Sequence, residues 1–184
     1  MNLEEKMLSS RLIYDGRIVH LYEDQVTLPC GTVASREYVK HIGAVCVLAL
    51  TDEGEIILER QYRYPMGREL VEIPAGKLDS ADEDPREAAL RELREETGIT
   101  PREITYIGEY LSSPAILSER IYMFFARGLS FGEQKLDDDE FLDVFRMPLS
   151  LAVEKVLSGE IADGKTQAAV LKVYTMLQKE GKIG

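Results

Sequence analysis

The chain of 184 residues predicts an α/β protein: an α/β/α sandwich around a mixed sheet, with an N-terminal antiparallel meander. Three observations lead there. Gly43 to Leu50 (GAVCVLAL) is a continuous apolar run, short enough to be a central strand buried on both faces. Strand-like runs then alternate with helical segments, the order expected when strands share one sheet covered by helices. Before Gly43 the chain carries only strand-like runs and tight turns.

The meander consists of Arg11 to Tyr14, an Asp15-Gly16 turn, Arg17 to Leu28, a Pro29-Cys30-Gly31 turn, and Thr32 to Lys40. Three strands alone bury little, so this sheet is expected to lean on something else, a symmetric partner subunit being one candidate. Residues 1–41 are therefore read as an N-terminal sheet suited to dimerisation, and residues 42–184 as the main domain. In that domain Asp52-Glu53-Gly54 turns the chain into a strand from Glu55 to Tyr64. Another strand, Glu69 to Ile73, delivers Pro74-Ala75-Gly76. Asp84 suits an N-cap, Pro85 the first helical residue and Glu87 the partner of a capping box. Ala89, Leu90 and Leu93 give that helix its buried stripe, and Gly98 stops it. Strands are expected at Ile104 to Leu111, Arg120 to Ala126 and Phe141 to Arg146. Helices are expected at about Leu149 to Leu157 and Lys165 to Lys179.

Composition excludes several classes of function. A formal charge of −11 argues against nucleic-acid binding, which needs a basic footprint. No run of apolar residues is long enough to span a membrane. The N-terminal MNLEEKMLSSR lacks the apolar core of a signal peptide, so a cytoplasmic location is the default expectation. Cys30 and Cys46 lack metal-ligand spacing.

The chemistry concentrates in residues 76–99, GKLDSADEDPREAALRELREETGI. Eight carboxylates stand there between Asp79 and Glu96, against three arginines. On a helix, Glu92 and Glu96 share a face with Glu95 beside them. Like charges at that spacing repel, and a hard divalent cation would turn the repulsion into oxygen coordination. Arg91 is spaced to orient these carboxylates through an i,i+4 pair with Glu95.

The segment resembles the Nudix box, a loop–helix–loop that binds magnesium and hydrolyses nucleoside diphosphates linked to another moiety. From Glu83 onward the pattern is complete: Arg91-Glu92-Leu93, Glu95-Glu96 and Gly98-Ile99 follow at the family spacing. Before Glu83 there is one residue more than the pattern between Gly76 and the glutamate. The resemblance implies the Nudix sandwich and metal ligands at Ala75 (carbonyl), Glu92, Glu96 and Glu95. The implied cofactor is Mg²⁺, with Mn²⁺ as an alternative.

A second segment narrows the resemblance to the ADP-ribose pyrophosphatase branch. It is Tyr110-Leu-Ser-Ser-Pro-Ala-Ile-Leu-Ser-Glu-Arg120, in which Ser113-Pro114 matches the branch while Ala115 replaces its usual glycine. The branch implies a homodimer and cleavage of ADP-ribose to AMP and ribose 5-phosphate. It also implies a loop base near the acidic run Asp137 to Glu140. Glu140, Asp138 and Glu95 remain alternative bases, and Arg91 joins Glu95 and Glu140 in the candidate catalytic set. Substrate contacts are expected from Arg36, Arg63, Glu72, Gly76, Pro114 and Glu119. Tyr62 or Tyr64 is suited to stack on a base. Two rivals are the same chemistry on another nucleotide sugar such as GDP-mannose, and a catalytically silent nucleotide-sugar-binding module.

Overall fold

The computed structural model describes residues 2–136 and 140–183. The chain divides into two units, Met1–Gly43 with Leu111–Arg120, and Ala44–Tyr110 with Ile121–Gly184.

The first unit is an antiparallel sheet of β1 (Lys6–Asp15), β2 (His20–Thr27) and β3 (Val33–Lys40), in that spatial order. Its strands differ at their ends from the expected ones. The Gly16 N–H reaches the Val19 carbonyl at 2.9 Å, so the first turn takes up Arg17 to Val19. The strand β1 begins well before Arg11, at residues exposed on both sides whose pattern shows no alternation. Leu111–Arg120 belongs to this unit because Val39 bonds through its backbone to Ile116 and Ser118.

The second unit holds two sheets. The mixed one, in the order β7-β4-β9-β8, is built from β4 (Ala44–Ala49), β7 (Ala75–Lys77), β8 (Ile99–Tyr110) and β9 (Ile121–Phe131). Within it β4 runs parallel to β9 and antiparallel to β7. The other sheet, antiparallel, places β5 (Glu55–Arg63) between β10 (Leu142–Pro148) and β6 (Arg68–Glu72). As the apolar run implied, all six residues of β4 are buried. Period-two alternation divides them. Ala44, Cys46 and Leu48 join a core with α2 (Leu149–Leu157) and α3 (Gly164–Lys179). Val45, Val47 and Ala49 pack with Ala88, Ala89 and Leu93 of α1 (Pro85–Thr97). Helices thus cover both faces.

The strand β8 starts directly after α1, five residues ahead of Ile104. Pro101 disguises this stretch, but β8 is an edge strand, where a missing N–H is tolerated. At the helix start, Asp84 accepts a 2.8 Å bond from the Arg86 N–H, with Pro85 following it. The expected capping box does not close, because Glu87 turns to the Arg86 guanidinium at 2.9 Å. Gly98 ends the helix at φ +71, and a Cβ there would meet the Gly132 carbonyl at 2.4 Å. Among the described residues, no helix is long and apolar enough to cross a membrane.

Candidate active site

A loop and a helix build the acidic centre together. Gly76 lies so close to α1 that a Cβ there would fall 2.0 Å from the Glu92 carboxyl carbon. Next to it, the Ala75 N–H donates to Glu96 at 2.9 Å, tying β7 to the end of the helix. The Arg91 guanidinium is the hub. It reaches Glu92 at 2.9 Å, Glu95 and Glu83 at 3.3 Å, and the Lys77 carbonyl at 3.3 Å. The i,i+4 contact with Glu95 is therefore one of several, and not the shortest. These anions hold its pKa well above the ordinary arginine range. Glu83 also accepts from the Asp79 N–H at 2.6 Å, closing the loop on itself and accommodating the extra residue. Asp82 is exposed, whereas Glu83 is half-buried.

The electrostatics are strained in one direction. Glu96 is 3 % exposed, and burial first, then the charges of Glu59, Glu92 and Glu140, pushes its pKa up to about 10. Burial likewise raises Glu92. Glu59 is fully buried with neither carboxylate oxygen hydrogen-bonded, and burial followed by the charge of Glu72 pushes it up to about 8. Among the described residues no three acidic, histidine or cysteine side chains already stand as a closed metal cage. What the site offers a cation is hard carboxyl oxygen, which a bound cation would hold ionised, beside a glycine that leaves the Glu92 carboxyl room. That donor set suits Mg²⁺ or Mn²⁺, which keep several water ligands. Glu92, Glu96, Glu95 and the Ala75 carbonyl are the groups that would hold it.

Glu140 is partly buried, and its charge acts on Glu59, Glu92 and Glu96. Asp138 lies outside the described residues.

A second cluster lies at the ends of β5 and β6. Arg63 grips Glu72 through two parallel bonds, Nε to Oε1 at 2.6 Å and Nη2 to Oε2 at 2.8 Å. Glu72 also meets the buried Lys165 ammonium. Between them the two cations hold the Glu72 pKa down at about 2, although burial pulls the other way. Glu72, which the sequence offers as a substrate contact, also anchors Arg63. Tyr62 and Tyr64 are exposed beside it.

The remaining candidates sit in the first unit. Arg36 forms a fork with Glu5 at 2.9 and 2.5 Å. Glu119 accepts from Ser112 at 2.9 Å and lies 3.7 Å from His41. Pro114 is exposed, and Ala115 does not occupy a positive φ, which removes the steric objection to alanine there.

Sequence reasoning missed Glu59 and Lys165. A glutamate directly after the apolar run Ile56-Ile57-Leu58 was the available signal for the first. Nothing short of the fold marks a lysine at a helix start as buried.

Residues 40–168 match the NUDIX domain family, and residues 5–39 match the nucleoside diphosphate sugar hydrolase N-terminal domain. The chain belongs to the Nudix hydrolase family. It is 46% identical over 171 residues to an ADP-ribose pyrophosphatase of Bacillus subtilis (strain 168), covering 92% of each chain. It is 43% identical to the methanol dehydrogenase activator of Bacillus methanolicus, covering 96% of this chain and 95% of that one. A crystal structure of an ADP compounds hydrolase shares the fold at a TM-score of 0.85 and 20% identity, covering 100% of both chains.

Proposed function

We propose that the protein is a divalent-cation-dependent pyrophosphatase that hydrolyses ADP-ribose to AMP and ribose 5-phosphate. The observation that carries this reading is the acidic face of α1, with Glu96 buried and bonded to the Ala75 N–H and the half-buried Glu92 lying against Gly76. It is joined by the likeness to the B. subtilis ADP-ribose pyrophosphatase along nearly the whole chain. When bound, Mg²⁺ supplies charge neutralisation at the diphosphate and a water acidified for attack on phosphorus.

The side chains divide the remaining work. Glu92 and Glu96 hold the cation, and Arg91 orients Glu92 and Glu95. One carboxylate must take the proton of the attacking water. Glu140 and Glu95 are the two candidates, Glu95 standing within reach of the Arg91 guanidinium at 3.3 Å. Arg63, locked by Glu72, presents its remaining N–H groups to a substrate phosphate, a task its planar fork suits. Gly76, Arg36, Glu72, Pro114 and Glu119 are proposed as further substrate contacts. One water is consumed, and the bridging oxygen leaves with one phosphate. No covalent intermediate is required.

Two finer readings go with this. The exposed strand β1, with Leu8, Leu12 and Tyr14 accessible, supports a homodimer formed with a second copy. Free Cys30 and Cys46 suit a reducing compartment, the cytoplasm.

The test is a panel of nucleotide sugars incubated with the protein and Mg²⁺, with products separated by chromatography. ADP-ribose should yield AMP and ribose 5-phosphate fastest, and chelator should abolish the reaction. Preferential cleavage of GDP-mannose would transfer the activity to the rival substrate.

A further inference from the structure

Lys165 stands in the first turn of α3, yet it is 8 % exposed. A helix start favours anions, and a buried ammonium loses its hydration, so two effects oppose a lysine there. What holds it is the Glu72 carboxylate, with Asp163 at 3.2 Å. The neighbouring Thr166 accepts a 3.0 Å bond from the buried Ile73 N–H and donates to Asp163 at 2.6 Å. Two consecutive residues of α3 are therefore fastened to Glu72 and Ile73, immediately ahead of the Pro74-Ala75-Gly76 loop. Glu59 faces Glu72 across β5 and β6, and Lys165 and Arg63 are the cations whose charge it feels.

We propose that Lys165 is a positioning residue for substrate binding: acting through Glu72, it fixes the Arg63 fork in the orientation that receives a substrate phosphate. This rests on the diphosphate substrate proposed above. Glu72 occupies the Nε and Nη2 side of the guanidinium, and Nη1 lies on its other edge. With the lysine ammonium gone, Glu72 loses one of the two cations that fix its carboxylate, and the bidentate geometry that aims Arg63 is lost. The carboxylates of α1 bond to Arg91 and Ala75, not to Lys165, so the chemical step itself is spared.

The experiment compares steady-state hydrolysis of ADP-ribose by wild type, Lys165→Met, Lys165→Arg, Arg63→Ala and the Arg63→Ala/Lys165→Met pair. Lys165→Met should raise KM about tenfold with kcat held within about threefold, and Lys165→Arg should restore most of the loss. In the Arg63→Ala background, adding Lys165→Met should cost nothing more. An unchanged KM, a fall in kcat alone, or full additivity in the pair would overturn the proposal. Should Lys165→Met not fold, Glu72→Gln/Lys165→Met removes both charges together and should carry the same raised KM; a wild-type KM there overturns the proposal as well. Hydrogen exchange at the nitrogen-labelled Arg63 Nε needs no substrate. It should quicken by about an order of magnitude in Lys165→Met, and an unchanged rate counts against the proposal. If the wild type turns over no ADP-ribose, the functional reading fails, and this exchange measurement alone decides the role of Lys165.

Discussion

Glu59 and Glu72 face each other as direct register partners across β5 and β6, both buried, and only Glu72 has cations bonded to it. Glu59 is the uncompensated member. Its folded pKa lies near 8, above the ordinary 4.5, so the folded state holds its proton more tightly than the unfolded chain does. Stability linked to it is full below about pH 4.5 and is lost as pH rises toward 8. Glu59→Gln should flatten that slope and add about 2 kcal/mol at neutral pH in chelator, read by urea unfolding. An unaltered slope would show that Glu59 is relieved in some other way.

Glu72 behaves with the opposite sign. Held down near 2, it contributes stability present above about pH 4.5 and lost as pH falls through 2. The contribution is about 3 kcal/mol at most. Acid unfolding of wild type should therefore steepen between those values, and Glu72→Gln should remove that part of the curve.

Glu96→Gln should lower turnover by about a hundredfold or more while the folded state survives, because a carboxylate with its pKa near 10 gains stability when made neutral. Circular dichroism and calorimetric Mg²⁺ titration separate the two effects. Near-normal turnover would remove the metal role from Glu96.

Gly76→Ala drives a methyl group onto the Glu92 carboxyl. Glu92 must then move, and turnover should fall by about a hundredfold, since small displacements at a reacting centre are costly. Retained activity would mean that Glu92 is not held where the chemistry needs it.

Ala115→Gly should be tolerated within about twofold in activity, because Ala115 holds an ordinary backbone conformation and glycine adds only unfolded-state entropy. Kinetics and a melting curve check it. Collapse of activity would show that the alanine methyl group is needed.

What was legible in the sequence is what local chemistry dictates. The helix α1 runs from its Asp84 cap to its Gly98 stop as expected, because caps and stops are chosen by residues within one turn. The strand β4 was legible because burial on both faces leaves an unbroken apolar run. By contrast, β1 lies exposed on both sides and carries no alternation to read, while Pro101 concealed the start of β8. At the site, the box glutamates and Arg91 could be placed because one helix turn relates them. Glu59, Glu72, Arg63 and Lys165 meet only through the register of β5 with β6 and the docking of α3, which brings Lys165 to Glu72 across 93 positions of chain. A glutamate in a strand and a lysine at a helix start read as solvent-facing until those partners are known.

The most direct measurement follows ADP-ribose by phosphorus NMR in heavy-oxygen water, with purified protein and saturating Mg²⁺. One labelled oxygen should appear on AMP or on ribose 5-phosphate, only while the cation is present and not in Glu96→Gln. An intact diphosphate under the same conditions, or cleavage that persists in excess chelator, would contradict the assignment of the acidic face of α1 as a cation-holding pyrophosphatase centre.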